Sequence, residues 1–270
     1  MICAHDGDSM WFMEKCTASQ FSTQFRKPIT EVLSLFPQLL EHVDDDGYDI
    51  AVSIENNMYK MLRNVNNVEI FGRLEKEYFN HEVLDIVDLV LCVKDAVNSV
   101  CRLKINVDAC TGPIYVEGNR AIQIHTLLGL IRNAFCYAQD HGSVTISIES
   151  AVNRVIVKVH DIGKGILAEN QAKVFDPFFS ADPYGDSTDE PGLGLDLAIL
   201  ERLQQHLGGG RPIVSSEFGN GSIIAFSVPV LDDAIEISEH SIVRCEVADL
   251  VTNRYSSLYL QLSGFCRYPG

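Results

Sequence analysis

The chain has 270 residues, enough for one large domain or two modest ones, and its 46% hydrophobic and 21% charged residues are the balance of a folded globular protein. A net charge of −16 excludes an extended nucleic-acid footprint, because nothing here would neutralise a run of phosphates. The most apolar stretch, Val83 to Val93, is broken by Asp85 and Asp88, so no window reaches the roughly 18 uninterrupted apolar residues that a membrane span needs.

The opening MICAHDGDSMWF lacks the basic end and apolar run of a signal peptide, and a cytoplasmic chain, or the cytoplasmic part of a larger receptor, is expected. From Cys16 to His42 an apolar stripe (Phe21, Phe25, Ile29, Val32, Leu33, Phe36, Leu39, Leu40) has helical period, with Pro28 and Pro37 expected to bend or interrupt it. The acidic stretch Asp44-Asp45-Asp46-Gly47 reads as a turn. A second stripe then passes through Ile50, Ile54, Met58, Met61, Leu62, Val65 and Val68. Two striped helices leave a wide apolar face, which dimerisation into a four-helix bundle would cover; the alternative is packing onto the rest of the same chain.

After Arg73 the texture changes. An extended piece near Tyr78 to Leu84 precedes a helix from Ile86 to about Arg102, a strand from Leu103 to Val107, and a loop with Gly112-Pro113. Residues 119–138 read as a long helix. Val144 to Ser150 and Arg154 to Asp161 alternate as strands with one buried face. A helix from Leu193 to Leu207 stops at Gly208-Gly209-Gly210, and strands near Ile213 to Glu217 and Ser222 to Val228 flank the turn Phe218 to Gly221. Helices before and between hairpin-linked strands predict an α/β sandwich rather than a doubly wound sheet. The eight cysteines lack CxxC or metal-ligand spacing and several lie in apolar runs, so reduced thiols are expected.

Four motifs occur in order: Leu127-Leu128-Gly129-Leu130-Ile131-Arg132-Asn133-Ala134-Phe135-Cys136-Tyr137 on a helix, Asp161-Ile162-Gly163-Lys164-Gly165-Ile166 at a strand end, Val174-Phe175-Asp176-Pro177-Phe178-Phe179 in a loop, and Gly192-Leu193-Gly194-Leu195 opening a helix. A strand-end Asp can accept a hydrogen bond from an adenine amino group, and glycines admit backbone where side chains would collide. A helix start favours an anion.

The order and placement of these motifs resemble the N box, DxGxG box, F box and glycine-rich junction of the histidine-kinase branch of the GHKL (HATPase_c) ATPases. The stretch Phe21-Ser22-Thr23-Gln24-Phe25-Arg26-Lys27-Pro28-Ile29 is similar to that family's phosphoacceptor segment. The resemblance implies an α+β chain: a dimeric helical hairpin followed by a Bergerat-type α/β sandwich. The implied domains are a tail (1–18), the hairpin (19–72), the ATP-binding domain (73–231) and a tail of unassigned role (232–270). It implies ATP or ADP with Mg²⁺ as cofactors. Asn133, the magnesium ligand, would contact nucleotide with Tyr137, Asp161, Gly163, Gly165, Ile166, Phe178, Gly192, Leu193, Gly194 and Gly221. The implied partners are a second copy or another histidine kinase, and a response regulator.

The departures from the family are chemical. Thr23 stands at the acceptor histidine, Gln24 at the acidic neighbour and Lys27 at the residue that aids dephosphorylation; a hydroxyl needs a base, and an amide is none. Gly129 replaces the first N-box Asn, and Cys136 the phosphate-facing cation. The lid from Ser180 to Pro191 carries Asp182, Asp186, Asp189 and Glu190, with no basic residue between Lys173 and Arg202. Asp196 lies where the dipole of the following helix favours an anion. Three readings remain open: a nucleotide-binding signalling protein without self-phosphorylation, a kinase for an acceptor on another chain, and a scaffold that binds no nucleotide. His125, His141 and His160 are expected to be structural or surface residues.

Overall fold

The computed structural model describes residues 18–76, 79–102, 104–109, 112–137, 143–180, 192–231 and 242–266. The chain divides into two compact units, Met1–Glu77 and Tyr78–Gly270.

The first unit is a helical hairpin of α1 (Ala18–Leu40) and α2 (Asp45–Lys76). Of the bend or interruption expected at Pro28 and Pro37, the interruption does not occur: helix α1 continues through both. Both prolines lie on the exposed side, where water can take the carbonyl groups that they leave unbonded. The acidic stretch is the start of α2 rather than a turn, because the Asp44 carboxylate accepts from the Gly47 N–H at 2.9 Å and caps the helix. Ile29, Leu33 and Phe36 are buried against Ala51, Tyr59, Leu62 and Val65 of the same unit, whereas Phe21, Phe25, Val32 and Leu39 of the same stripe are exposed.

The second unit begins with β1 (Glu82–Asp85) and α3 (Ile86–Val100), joined by Asp85, whose side chain caps the helix through the Val87 N–H. There follow β2 (Ile105–Ala109), β3 (Tyr115–Gly118), α4 (Arg120–Tyr137), β4 (Val144–Ala151), β5 (Arg154–Asp161), α5 (Ala168–Gln171), α6 (Asp196–His206), β6 (Ile213–Ser216) and β7 (Ser222–Pro229). The main sheet has the order β2-β4-β5-β7-β6, antiparallel except for the β2–β4 pair. Val144, Ile146, Ile148, Val155, Val157 and Val159 all point from it into the core, as their alternation dictates.

Helix α4 is buried nearly all round, which one sheet could not achieve. Its far side is covered by the C-terminal residues, which form β8 (Ile242–Val243), α7 (Val247–Val251) and α8 (Ser257–Gln261). Strand β8 joins a second sheet of order β3-β1-β8, α7 packs on α3, and α8 packs on α4 with Leu258, Tyr259 and Leu262 fully buried. Buried His125 of α4 lies with its Nε2 2.8 Å from the Gln261 amide nitrogen, which gives it the structural role expected for it. His141 falls outside the described residues.

Reduced thiols are not the state of every cysteine. Cys101 and Cys266 face each other in an isolated antiparallel bridge, Cα atoms 4.1 Å apart, and form a disulfide. A sequence separation of 165 hides that pairing from any reading of cysteine spacing. Among the described residues, Cys92, Cys136 and Cys245 form no disulfide.

Candidate functional site

The register between β5 and β7 places Ser222 directly across from Asp161, and the Ser222 hydroxyl donates to Asp161 Oδ2. Asp161 is buried, and its other oxygen, Oδ1, has no hydrogen-bond partner. Burial pushes this carboxyl above the usual range, opposed chiefly by the Ser222 hydrogen bond. A buried acceptor left open in this way is suited to a donor that arrives with a ligand.

Oδ1 belongs to a residue lining a cavity of about 360 Å³, within the range of small-molecule sites. Of the residues expected at a nucleotide site, Asn133, Tyr137, Asp161, Gly165, Ile166, Gly192 and Gly194 line it. Gly163, Gly221, Phe178 and Leu193 do not. Gly163 and Gly221 act behind the wall: a Cβ on Gly163 would come 2.2 Å from the Tyr137 carbonyl oxygen, and one on Gly221 2.0 Å from that of Asp161. Phe178 holds a positive φ of 64° and is largely exposed, as is Leu193 in part. Thr23 lies in the other compact unit. The acidic lid residues Asp182, Asp186, Asp189 and Glu190 fall outside the described residues.

Three features were not anticipated from the sequence. The first is the arrangement around Asp196, whose Oδ1 would stand 3.0 Å from a Cβ on Gly129. The Asp196 carboxylate therefore lies against the space that a side chain at the first N-box position would take. The second is that two cations, Lys164 and Arg132, line the cavity. Lys164 Nζ sits 5.0 Å from the centre of the Tyr137 ring, a cation–π distance. Ser222 is a third omission, since only the pairing register shows what its hydroxyl meets.

The glycine turn gives a graded test of this wall. Gly219→Ala, at φ 92° with open space around it, should cost only the backbone penalty of about 1–2 kcal/mol. Gly221→Ala, at φ 85° and against the Asp161 carbonyl, should cost clearly more, roughly 3 kcal/mol, because the end of β5 must shift. Urea denaturation of the two variants measures the difference, and equal costs would show that the wall yields freely.

Comparison with known proteins agrees with this geometry. Residues 119–232 match the family model for histidine kinase-, DNA gyrase B-, and HSP90-like ATPases. The chain is 30% identical over 218 residues to the sensor protein DivL of Caulobacter vibrioides, an alignment that spans 77% of this chain and 27% of DivL. It is 26% identical over 222 residues to the sensor histidine kinase ZraS of Klebsiella oxytoca, spanning 79% of this chain and 45% of that protein. The chain thus spans less than half the length of either relative. Among solved structures, full-length ShkA in complex with AMPPNP shares the fold, with a TM-score of 0.63 and 22% identity over 80% of this chain and 46% of ShkA.

Proposed function

We propose that this chain, which carries an ATPase domain of the histidine-kinase, DNA gyrase B and HSP90 kind, is a signalling module that binds ADP or ATP and does not phosphorylate itself at position 23. The observation that carries the nucleotide reading is Asp161 Oδ1, a buried acceptor on the wall of the cavity without a hydrogen-bond partner among the described residues, beside which a Cβ on Gly163 would intrude to 2.7 Å. The fold of ShkA, a protein known in complex with AMPPNP, is in keeping with it. Asn133, half-buried on the cavity wall, has the oxygen that a hard cation such as Mg²⁺ takes. Among the described residues no cluster of His, Cys, Asp and Glu offers a metal cage, so such a cation would arrive with the phosphates, whose charge it would neutralise.

The hairpin supports the second half of the proposal. Ser22 is buried and donates to Glu69, and Arg26 reaches the same Glu69 oxygen at 2.8 Å and Asn66 at 2.9 Å. This cluster anchors one side of α1 and engages the Glu69 carboxylate. Thr23, Gln24 and Lys27 are exposed, and Lys27 faces Glu31 at 4.0 Å. A threonine beside a glutamine has no adjacent base to activate it. The exposed Phe21, Phe25, Val32, Leu35 and Leu39 of α1 favour pairing with a second hairpin, from another copy or from a histidine kinase. A response regulator and a cytoplasmic setting go with that reading.

Calorimetric titration of the purified chain with ADP and ATP, with and without Mg²⁺, tests the first half. The absence of binding by any of the four combinations would favour a scaffold. Incubation with ATP labelled at the γ-phosphate tests the second: neither the chain nor the Thr23→His/Gln24→Glu double variant is expected to retain label. Strong labelling of the double variant would mean that the histidine alone was missing.

A further inference from the structure

Arg132 is 4% exposed, lies on the wall of the cavity, and is unusual for a buried cation. Its Nε has no hydrogen-bond partner, and no described residue forms an ion pair with it. A guanidinium stays charged at any pH a folded protein meets, so burial does not neutralise it. A buried charge without a partner is costly, and such a charge on a cavity wall is suited to an anion that the cavity receives.

The position of Arg132 tells which part of a ligand it would meet. Tyr137 and Asp161 both line the cavity and lie close together, since a Cβ on Gly163 would come 2.2 Å from the Tyr137 carbonyl oxygen and 2.7 Å from Asp161 Oδ1. Arg132 lies five residues earlier on α4, roughly 7.5 Å along the helix axis. There its Nη1 would be 3.5 Å from a Cβ on Gly192, in the segment just before α6, and Asp196 Oδ2 would be 3.9 Å from the same point. Gly129, Arg132 and Cys136 share one face of α4 at spacings of three and four. Cys136 has no charge to offer a phosphate, whereas Arg132, one turn earlier on that face, does.

We infer that Arg132 is the phosphate-binding cation of this site, contacting the phosphates of ADP or ATP in place of a cation at Cys136. The inference rests on the nucleotide reading above and adds to it which residue holds the charged end. Asp196 turns a carboxylate toward the same region, so Arg132 also offsets a repulsion that phosphates would otherwise meet. A guanidinium presents paired N–H donors to phosphate oxygens, a match that a thiol cannot supply.

The test compares the wild-type chain with Arg132→Met, using adenosine and ADP as the two probes in calorimetry and melting temperature without ligand as the fold control. Arg132→Met should weaken ADP binding at least about tenfold and leave adenosine binding unchanged. Its ligand-free melting temperature should hold or rise, because an unpaired buried charge has been removed. Arg132→Lys, which keeps the charge without the fork, should fall between the two. Unchanged ADP affinity in Arg132→Met would overturn this inference and leave the nucleotide reading standing. Equal loss of both ligands together with a lower melting temperature would overturn it too, by giving Arg132 a structural role. If the wild-type chain binds neither probe, the nucleotide reading fails and this inference falls with it.

Discussion

Asp161→Asn should weaken ADP binding about 10- to 100-fold while leaving the ligand-free domain at least as stable as wild type at neutral pH. The affinity loss corresponds to one hydrogen bond to a charged acceptor, worth roughly 1.5–3 kcal/mol. In wild type the Ser222 hydroxyl donates to Oδ2 and leaves Oδ1 open. An asparagine has only one oxygen. Either Ser222 keeps its acceptor and the cavity faces an amide donor, or the cavity keeps its acceptor and the Ser222 hydroxyl must give up its own. The first arrangement opposes an adenine amino group, and the second offers it a neutral acceptor in place of a carboxylate.

The stability half of that prediction follows from the sign of the Asp161 shift. Burial raises its carboxyl in the folded state. A raised carboxyl favours folding below its unfolded value, near 3.9, and that contribution is lost as pH rises through the folded value. Asparagine has no such dependence. The melting temperature of Asp161→Asn relative to wild type should therefore climb from acid to neutral pH. Thermal melts between pH 4 and 8 with ADP titrations at neutral pH read both effects. A variant that is less stable at neutral pH and binds ADP normally would mark Asp161 as a strand-end cap.

Removing the C-terminal segment should have the largest effect on the fold. A chain ending at Leu231 would lose Leu258, Tyr259 and Leu262 from the core and expose the side of α4 that they cover. His125 would lose Gln261, its neighbour inside the core. The single change Leu258→Ala should already cost about 2–5 kcal/mol, a large part of the 5–15 kcal/mol that a domain commonly has. The truncated chain should melt without a sharp transition and bind a hydrophobic dye. A cooperative transition at the wild-type temperature would show that α7 and α8 are dispensable. This matters for the site as well, because Asn133, Tyr137 and Arg132 all stand on α4.

How much of this was legible in the sequence follows from the range of the interactions. The strands β4 and β5 were readable because Val144, Ile146, Ile148 and Val155, Val157, Val159 alternate, and a period of two needs no knowledge of partners. The motif residues on α4, at the end of β5 and before α6 were readable for a similar reason. Their chemistry is local to a helix, a strand end and a glycine-rich turn. The continuity of α1 through its prolines was not, because whether a proline ends a helix depends on what takes the freed carbonyl groups. Strand β3 and the C-terminal elements were missed because two to five residues carry too little periodicity to register.

The sequence by itself supplied residue types that the cavity brings together: Asp161 and Gly165 from the end of one strand, and Asn133 and Tyr137 from a helix. Only the tertiary structure decided what surrounds them. It set Ser222 against one oxygen of Asp161, Asp196 against Gly129, Arg132 on the cavity wall with no ion-pair partner among the described residues, and the C-terminal helices behind α4. The physical reason is common to all four. A motif records the residue types that a ligand requires, whereas the partner that leaves a charge satisfied or open is chosen by packing between segments far apart in the chain.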